Sequence, residues 1–220
     1  VYGDVVVVGT NNTPATHVFR FDGSQWQNDL TTDFGIHDPV IGGRTIDVEG
    51  DVLVIGDYTN DETRVYRYAG NSWTEEQVLT PFGSSSDQHF GAAVATDQSR
   101  IIVGAPNVFD GYGRAFVFTH DGSEWGFESM IQLSADQMWL GRIVDIEGNR
   151  AIVGRAGGIS FLRWCPEVGW YWDCRSNEVI TYGASNAALR DGLMFASSGP
   201  TLAILDYVDG EWVMYDHYSE

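Results

Sequence analysis

Apolar and polar residues alternate along most of this chain in short runs bounded by glycine, aspartate and asparagine. A period of two marks strands with one face turned to a core. Four runs share one ending: Val5-Val6-Val7-Val8-Gly9, Val52-Leu53-Val54-Ile55-Gly56, Ile101-Ile102-Val103-Gly104 and Ala151-Ile152-Val153-Gly154. Their glycines stand 47, 48 and 50 residues apart. A polar turn followed by tryptophan keeps the same step, at Asp22-Gly23-Ser24-Gln25-Trp26, Ala69-Gly70-Asn71-Ser72-Trp73 and Asp121-Gly122-Ser123-Glu124-Trp125. Weaker copies end in Trp170 and Trp212. No stretch sustains a helical period. A strand-built unit of about fifty residues, repeated from end to end, predicts a β-propeller.

Each full unit reads as four strands. In the third they span 89–96, 100–106, 114–120 and 125 to about 133, small residues first and aromatics last. Blades converge on an axis, so small side chains belong on the innermost strand and tryptophans on the wider outer ones. The expectation is an all-β, single-domain propeller of about five four-stranded antiparallel blades, over 1–33, 34–82, 83–135, 136–180 and 181–220. The first blade is incomplete at the N-terminus, where the innermost strand is missing. The chain therefore reads as a mature product or as part of a longer one.

Lys and Arg number 12 against 31 Asp and Glu, a net charge of −19. Such a surface repels phosphate backbones and anionic lipid, which argues against a nucleic-acid or membrane-surface partner. No apolar run approaches the roughly 20 residues that span a bilayer.

Cys165 and Cys174 flank what reads as a hairpin tip. Paired strands can bring such positions within bonding reach, and a disulfide there would add roughly 2–3 kcal/mol; two buried free thiols are the alternative. A bridge implies an oxidising setting, extracellular or at the cell surface. The triplet Asn11-Asn12-Thr13 agrees, as a glycosylation sequon at Asn11 in a turn.

Phe90-Gly91 and Val103-Gly104-Ala105-Pro106, with weaker copies at Leu140-Gly141 and Tyr182-Gly183, resemble the FG-GAP repeat family. Its units build integrin-alpha-type propellers and many bacterial and algal extracellular proteins. The resemblance implies a propeller, and in that family the loop between second and third strands often holds calcium. Calcium takes six to eight oxygens. Here the alternating acidic run is broken, and Asp57, Asn60 and Asp61 are the candidate ligands, with Ca²⁺ the one cofactor considered.

Asp47 with Glu49, and Asp145 with Glu147, share a strand face as a catalytic carboxylate pair would. Their identical place in the repeat, just before a turn, favours a structural role. Asp136 and Asp191 are the unrepeated acids nearest the inner strands. No histidine spacing, nucleophile elbow or phosphate loop is present. Trp26, Trp73, Trp125 and Trp212 recur in register and are expected to fill gaps between blades. Trp139, Trp164 and Trp172 do not recur and are the candidate contact aromatics. The expected function is a non-enzymatic extracellular binding, adhesion or assembly module, taking a protein or glycan on its loop face within a larger assembly. The alternatives are a propeller lectin and a propeller glycosidase or lyase working near the axis.

Overall fold

The computed structural model describes residues 3–9, 15–32, 45–82, 88–107, 112–132, 139–156, 158–172, 186–198, 201–208 and 211–218. Alternation carries these residues into five antiparallel sheets, each a meander in chain order. Blade one has three strands, β1 (Val5–Gly9), β2 (Thr16–Phe21) and β3 (Trp26–Thr32). Blade two comprises β4 (Ile46–Glu49), β5 (Val52–Asp57), β6 (Glu62–Ala69) and β7 (Ser72–Leu79). Blade three comprises β8 (Ala93–Thr96), β9 (Arg100–Ala105), β10 (Arg114–His120) and β11 (Trp125–Ile131). Blade four comprises β12 (Ile143–Glu147), β13 (Arg150–Arg155), β14 (Gly158–Cys165) and β15 (Gly169–Trp172). Blade five comprises β16 (Asn186–Arg190), β17 (Leu193–Ser198), β18 (Thr201–Val208) and β19 (Glu211–Tyr218). Strand β1 holds the place of β5, β9, β13 and β17, so among the described residues blade one lacks an inner strand.

The inner strands pack in sequence, β4 on β8, β8 on β12 and β12 on β16, and line the axis. Buried side chains form four layers between successive sheets. Val5, Val18, Leu53 and Ile55 join blades one and two. Val54, Leu79, Phe90, Val103 and Phe116 join two and three. Ala95, Ile102, Leu140, Ile146 and Val153 join three and four, and Ile152, Phe161, Leu189 and Met194 join four and five. Stability therefore resides in the interfaces, as in other repeat architectures where each unit needs its neighbours.

The family motif marks how one interface is keyed. The first strand of blade three starts at Ala93 rather than at the expected residue 89, because His89 (φ 56) and Gly91 (φ 93) take left-handed backbone. That turn drops Phe90 into the core, edge-on to Phe116 at 5.4 Å, and lays the Gly91 carbonyl against Gly56 of blade two. A Cβ on Gly56 would collide with that carbonyl, and one on Gly104 with the carbonyl of Gly141 in blade four. The run-ending glycine of one blade thus receives the Phe-Gly or Leu-Gly turn of the next.

At the rim, β2, β6, β10 and β18 each meet their outer neighbour with a bulge at one repeat position, between Val18/Phe19, Val65/Tyr66, Val117/Phe118 and Ile204/Leu205. A bulge adds one unpaired residue and re-aims its side chain. In the first three blades that residue is an acid that grips an arginine: Asp29 with Arg20 (3.1 Å), Glu76 with Arg67 (2.7 Å) and Glu128 with Arg100 (3.0 Å). Two of these guanidiniums then stack on aromatics of the following blade. Arg20 lies 3.8 Å from the Tyr68 ring and Arg100 lies 4.6 Å from Trp164. Between blades two and three Glu76 itself crosses, accepting from Trp125 Nε1 at 2.9 Å.

Candidate functional site

The turns that close the inner strands bring acids of four blades together at one end of the axis. Most of these acids latch one blade to the next. Asp47 accepts from the backbone N–H of Thr96 (2.9 Å) and Asp145, in the same slot of blade four, from that of Leu189 (2.8 Å). Glu147 accepts from the turn amides of Asp191 and Gly192, at 2.6 and 3.0 Å. Asp97 accepts from Gly148 N at 2.9 Å. A buried N–H without an acceptor is costly, which gives Asp47 and Asp145 a structural role; Asp97 and Glu147 make the same kind of latch nearer the surface. The sequence expectation for the paired acids holds at Asp47, Asp145 and Glu147.

Glu49 departs from it. It occupies the slot of Glu147, but the turn facing it in blade three supplies its own acceptors. Ser99 N and Arg100 N donate to Asp97 Oδ1, and Gln98 N donates to Thr96 Oγ1. Glu49 instead meets Arg190, at the end of the inner strand of blade five, with Nη1–Oε2 at 3.1 Å. Blades three and four lie between these two in chain order, so the pair reaches across the space the inner strands enclose. Arg190 takes the place where the other blades carry Glu49, Asp97 and Glu147. Burial raises the Glu49 carboxyl above the ordinary glutamate range; Arg190 opposes the rise, while Asp47 and Asp97 add to it. Burial works against the Arg190 charge, but Asp145, Asp47 and Glu49 overcome it and hold the guanidinium pKa above its usual value. The Glu49 side chain is 20% exposed, and among the described residues Oε1 has no protein hydrogen bond, which leaves one carboxylate oxygen unengaged beside a fixed cation.

At the opposite end of the strands lies the loop between β5 and β6, with Asp57, Asn60 and Asp61. Asp57 accepts from Asn60 Nδ2 at 2.8 Å, closing the turn on itself. Asp61 accepts from Phe90 N (2.9 Å) and Gln88 N (3.2 Å), tying blade two to the family motif of blade three. With these oxygens spent on amides, the donor set does not fit the six to eight oxygens of calcium. Among the described residues no group of three or more His, Cys, Asp or Glu side chains is placed to hold a metal ion.

The candidate aromatics separate. Trp139 is 47% exposed, holds φ 61 and lies 5.3 Å from the Arg142 guanidinium. Trp164 is half-buried beneath Arg100, and Trp172 packs against the layer between blades three and four. Of the repeat-locked tryptophans, Trp73 and Trp125 are buried at 6% and 3% exposure, whereas Trp26 is 49% exposed, with no blade against that side of blade one among the described residues. Cys165 carries a free thiol that donates to Glu167 Oε2 at 2.6 Å, so the expected bridge is not shown; Cys174 lies outside the described residues. Asn11 and Asp136 also lie outside them. Asp191 sits in the β16–β17 turn at φ 53, with its backbone N–H on Glu147.

Two features escaped sequence reasoning. The rim acids were available as a spacing, since Asp29, Glu76 and Glu128 each stand three residues beyond a repeat tryptophan. The Glu49–Arg190 pair had no local signal, its members being 141 residues apart.

The FG-GAP repeat family profile matches residues 73–118, the stretch that holds Phe90-Gly91 and Gly104. No curated protein matches the sequence. Among solved structures, a protein from Lactobacillus plantarum aligns with a TM-score of 0.67 at 10% identity, over 98% of this chain and 68% of that one. A functionally unknown protein from Desulfotomaculum acetoxidans aligns with a TM-score of 0.66 at 11% identity, over 99% and 66%. A putative 6-phosphogluconolactonase from Bacteroides uniformis aligns with a TM-score of 0.66 at 11% identity, over 99% and 68%. The chain spans about two thirds of these proteins. Identities this low speak to the fold alone. The expectation of a non-enzymatic adhesion module does not stand: the neighbours include a protein named for an enzyme, and nothing found points to adhesion or an extracellular role. The chain is an all-β propeller whose residues 73–118 match the FG-GAP repeat.

Proposed function

We propose that this chain is a propeller hydrolase, or part of one, that opens an uncharged sugar lactone at the axial end of its inner strands. The Glu49–Arg190 pair carries the reading. Water-dependent opening of a cyclic ester needs a base to take a proton from water and a cation to hold the oxyanion formed at the carbonyl. Glu49 Oε1 is the available base, and its raised pKa makes it a better proton acceptor than an ordinary carboxylate. Arg190 orients it and stabilises the oxyanion. The water oxygen bonds to the carbonyl carbon, the ring C–O bond breaks, and the proton passes from Glu49 to the departing alkoxide.

Glycoside hydrolysis generally asks for two working carboxylates. Here Asp47, Asp97, Asp145 and Glu147 are occupied by backbone amides, which favours ester over glycoside chemistry. One structural neighbour is named a putative 6-phosphogluconolactonase. The acids around Arg190 disfavour a phosphate on the substrate of this chain, so an uncharged lactone fits better.

The test is hydrolysis of gluconolactone, above the blank rate, by the full chain and by Glu49→Gln. Turnover lost in the variant is expected; equal rates for both proteins, or none for either, would refute the reading. A second reading rests on Trp139, whose exposed ring beside Arg142 suits stacking on a sugar. Glycan binding abolished by Trp139→Ala, with lactone turnover absent, would favour it.

A further inference from the structure

Trp139, Leu140 and Gly141 form in blade four the turn that His89, Phe90 and Gly91 form in blade three. In both, the first residue takes left-handed backbone, at φ 61 for Trp139 and φ 56 for His89. Glycine or asparagine suits such a position, and a bulky side chain held there costs about 1–3 kcal/mol. The His89 ring is half-buried, with Tyr58 of blade two edge-on to it at 5.5 Å. Tyr58 stands two residues beyond the run-ending Gly56, and Pro106 holds the same place beyond Gly104. Trp139 is left 47% exposed, so burial of its indole does little to offset the strain. Strain kept without a packing reason points to a function for the ring.

A second ring stands beside it. Tyr112 is 42% exposed, and its carbonyl accepts from Leu140 N at 3.2 Å, while Gly113 pairs with Leu140 in a parallel bridge. Tyr112 and Trp139 thus lie next to that bridge, one from each side of the interface between blades three and four. Arg142 lies 5.3 Å from the indole ring, and its backbone N–H donates to Trp139 O at 3.4 Å, which fixes ring and turn together. The two rings sit at the end of the strands opposite Glu49 and Arg190. They also sit well inside the sequence, between two four-stranded blades.

We propose that Tyr112 and Trp139 form a binding site for an uncharged oligosaccharide, with one pyranose stacked on the indole and the next on the phenol ring. The site rests on the stacking reading of Trp139 and is independent of lactone opening at the other end. Exposed rings with polar edges suit a sugar, whose C–H face packs on the ring while its hydroxyls stay wet or meet the Tyr112 hydroxyl. A net charge of −19 repels acidic polysaccharide and so favours a neutral one. Because the rings come from two blades, a monosaccharide covers only one of them.

The test is isothermal titration calorimetry of the full chain with cellohexaose, mannohexaose and N-acetylchitohexaose, each beside its monosaccharide. At least one hexamer should bind about 10-fold more tightly than its monosaccharide, the scale of one added ring contact. Hexagalacturonate should not bind. Trp139→Ala should abolish binding, and Tyr112→Ala should remove the advantage of the hexamer. Trp139→His copies the turn of blade three; it should keep a native strand spectrum and still lose about 10-fold in affinity. Absence of binding to every hexamer overturns the proposal. Binding abolished by Trp139→Ala but unchanged in Tyr112→Ala overturns it while sparing the stacking reading, and binding that survives Trp139→Ala overturns both. Decaproline bound through Trp139, with no sugar bound, would make the rings a peptide site and overturn it too.

Discussion

Glu49 and Glu147 occupy the same place in two copies of one repeat, yet they do different things. Glu147 caps two amides of the neighbouring turn. Glu49 faces a turn that has already satisfied its own amides through Asp97 and Thr96, and its carboxylate is released to Arg190. The difference lies in the neighbour rather than in the residue. A repeated acid becomes available for chemistry where the adjoining blade stops needing it.

The largest expected effect separates the two directly. Glu49→Gln should lower lactone turnover by about 100-fold or more, the usual scale for a lost general base, while Glu147→Gln leaves turnover within a few-fold. Next in size is Asp145→Ala, which strips a buried amide of its acceptor and should cost about 1–3 kcal/mol in urea unfolding. Glu147→Ala, at a more exposed turn, should cost about 1 kcal/mol in the same measurement. A Glu147→Ala protein losing turnover as steeply as Glu49→Gln would erase the distinction.

Two smaller effects are read from pH. Because the folded pKa of Glu49 is raised, its contribution to stability is full below the unfolded glutamate pKa and is lost as pH rises through the folded value. The wild type should therefore gain least over Glu49→Gln once pH is above the folded value, while turnover rises as pH climbs through it. The Asp121 carboxyl is the opposite case. Hydrogen bonds from the Glu124 backbone, the Ser123 side chain and the Ser123 backbone depress it to about 2. What it contributes is present above the ordinary aspartate pKa and is lost as pH falls towards about 2. Acid unfolding of Asp121→Asn should lack that part of the slope.

Most of the architecture was written in short-range pattern. The run-ending glycines and turn tryptophans set the blades, because each answers a local demand that returns with every copy. Phe90-Gly91 was legible as a motif, but not as a turn; left-handed backbone at His89 appears only once Phe90 has a core to enter. The same reliance on recurrence hid the candidate site. Glu49 repeats in register, and so it read as a turn acid. Its partner is chosen by the convergence of inner strands on the axis, a long-range geometry that spacing does not encode. Trp26 was misjudged for a related reason, since burial of a repeat tryptophan depends on having a blade beside it.

The pairing of Gly56 with Gly91, and of Gly104 with Gly141, also bears on how such a chain can grow and change. Socket and plug sit on successive blades, with backbone meeting backbone, so no side-chain substitution can restore a lost fit. Duplication of a whole unit delivers a new socket together with a new plug, and each still finds its mate. Loss of part of a unit orphans one of them. Lineages of this architecture should therefore differ by entire blades and by the lengths of connecting loops, with the glycine contact itself drifting last.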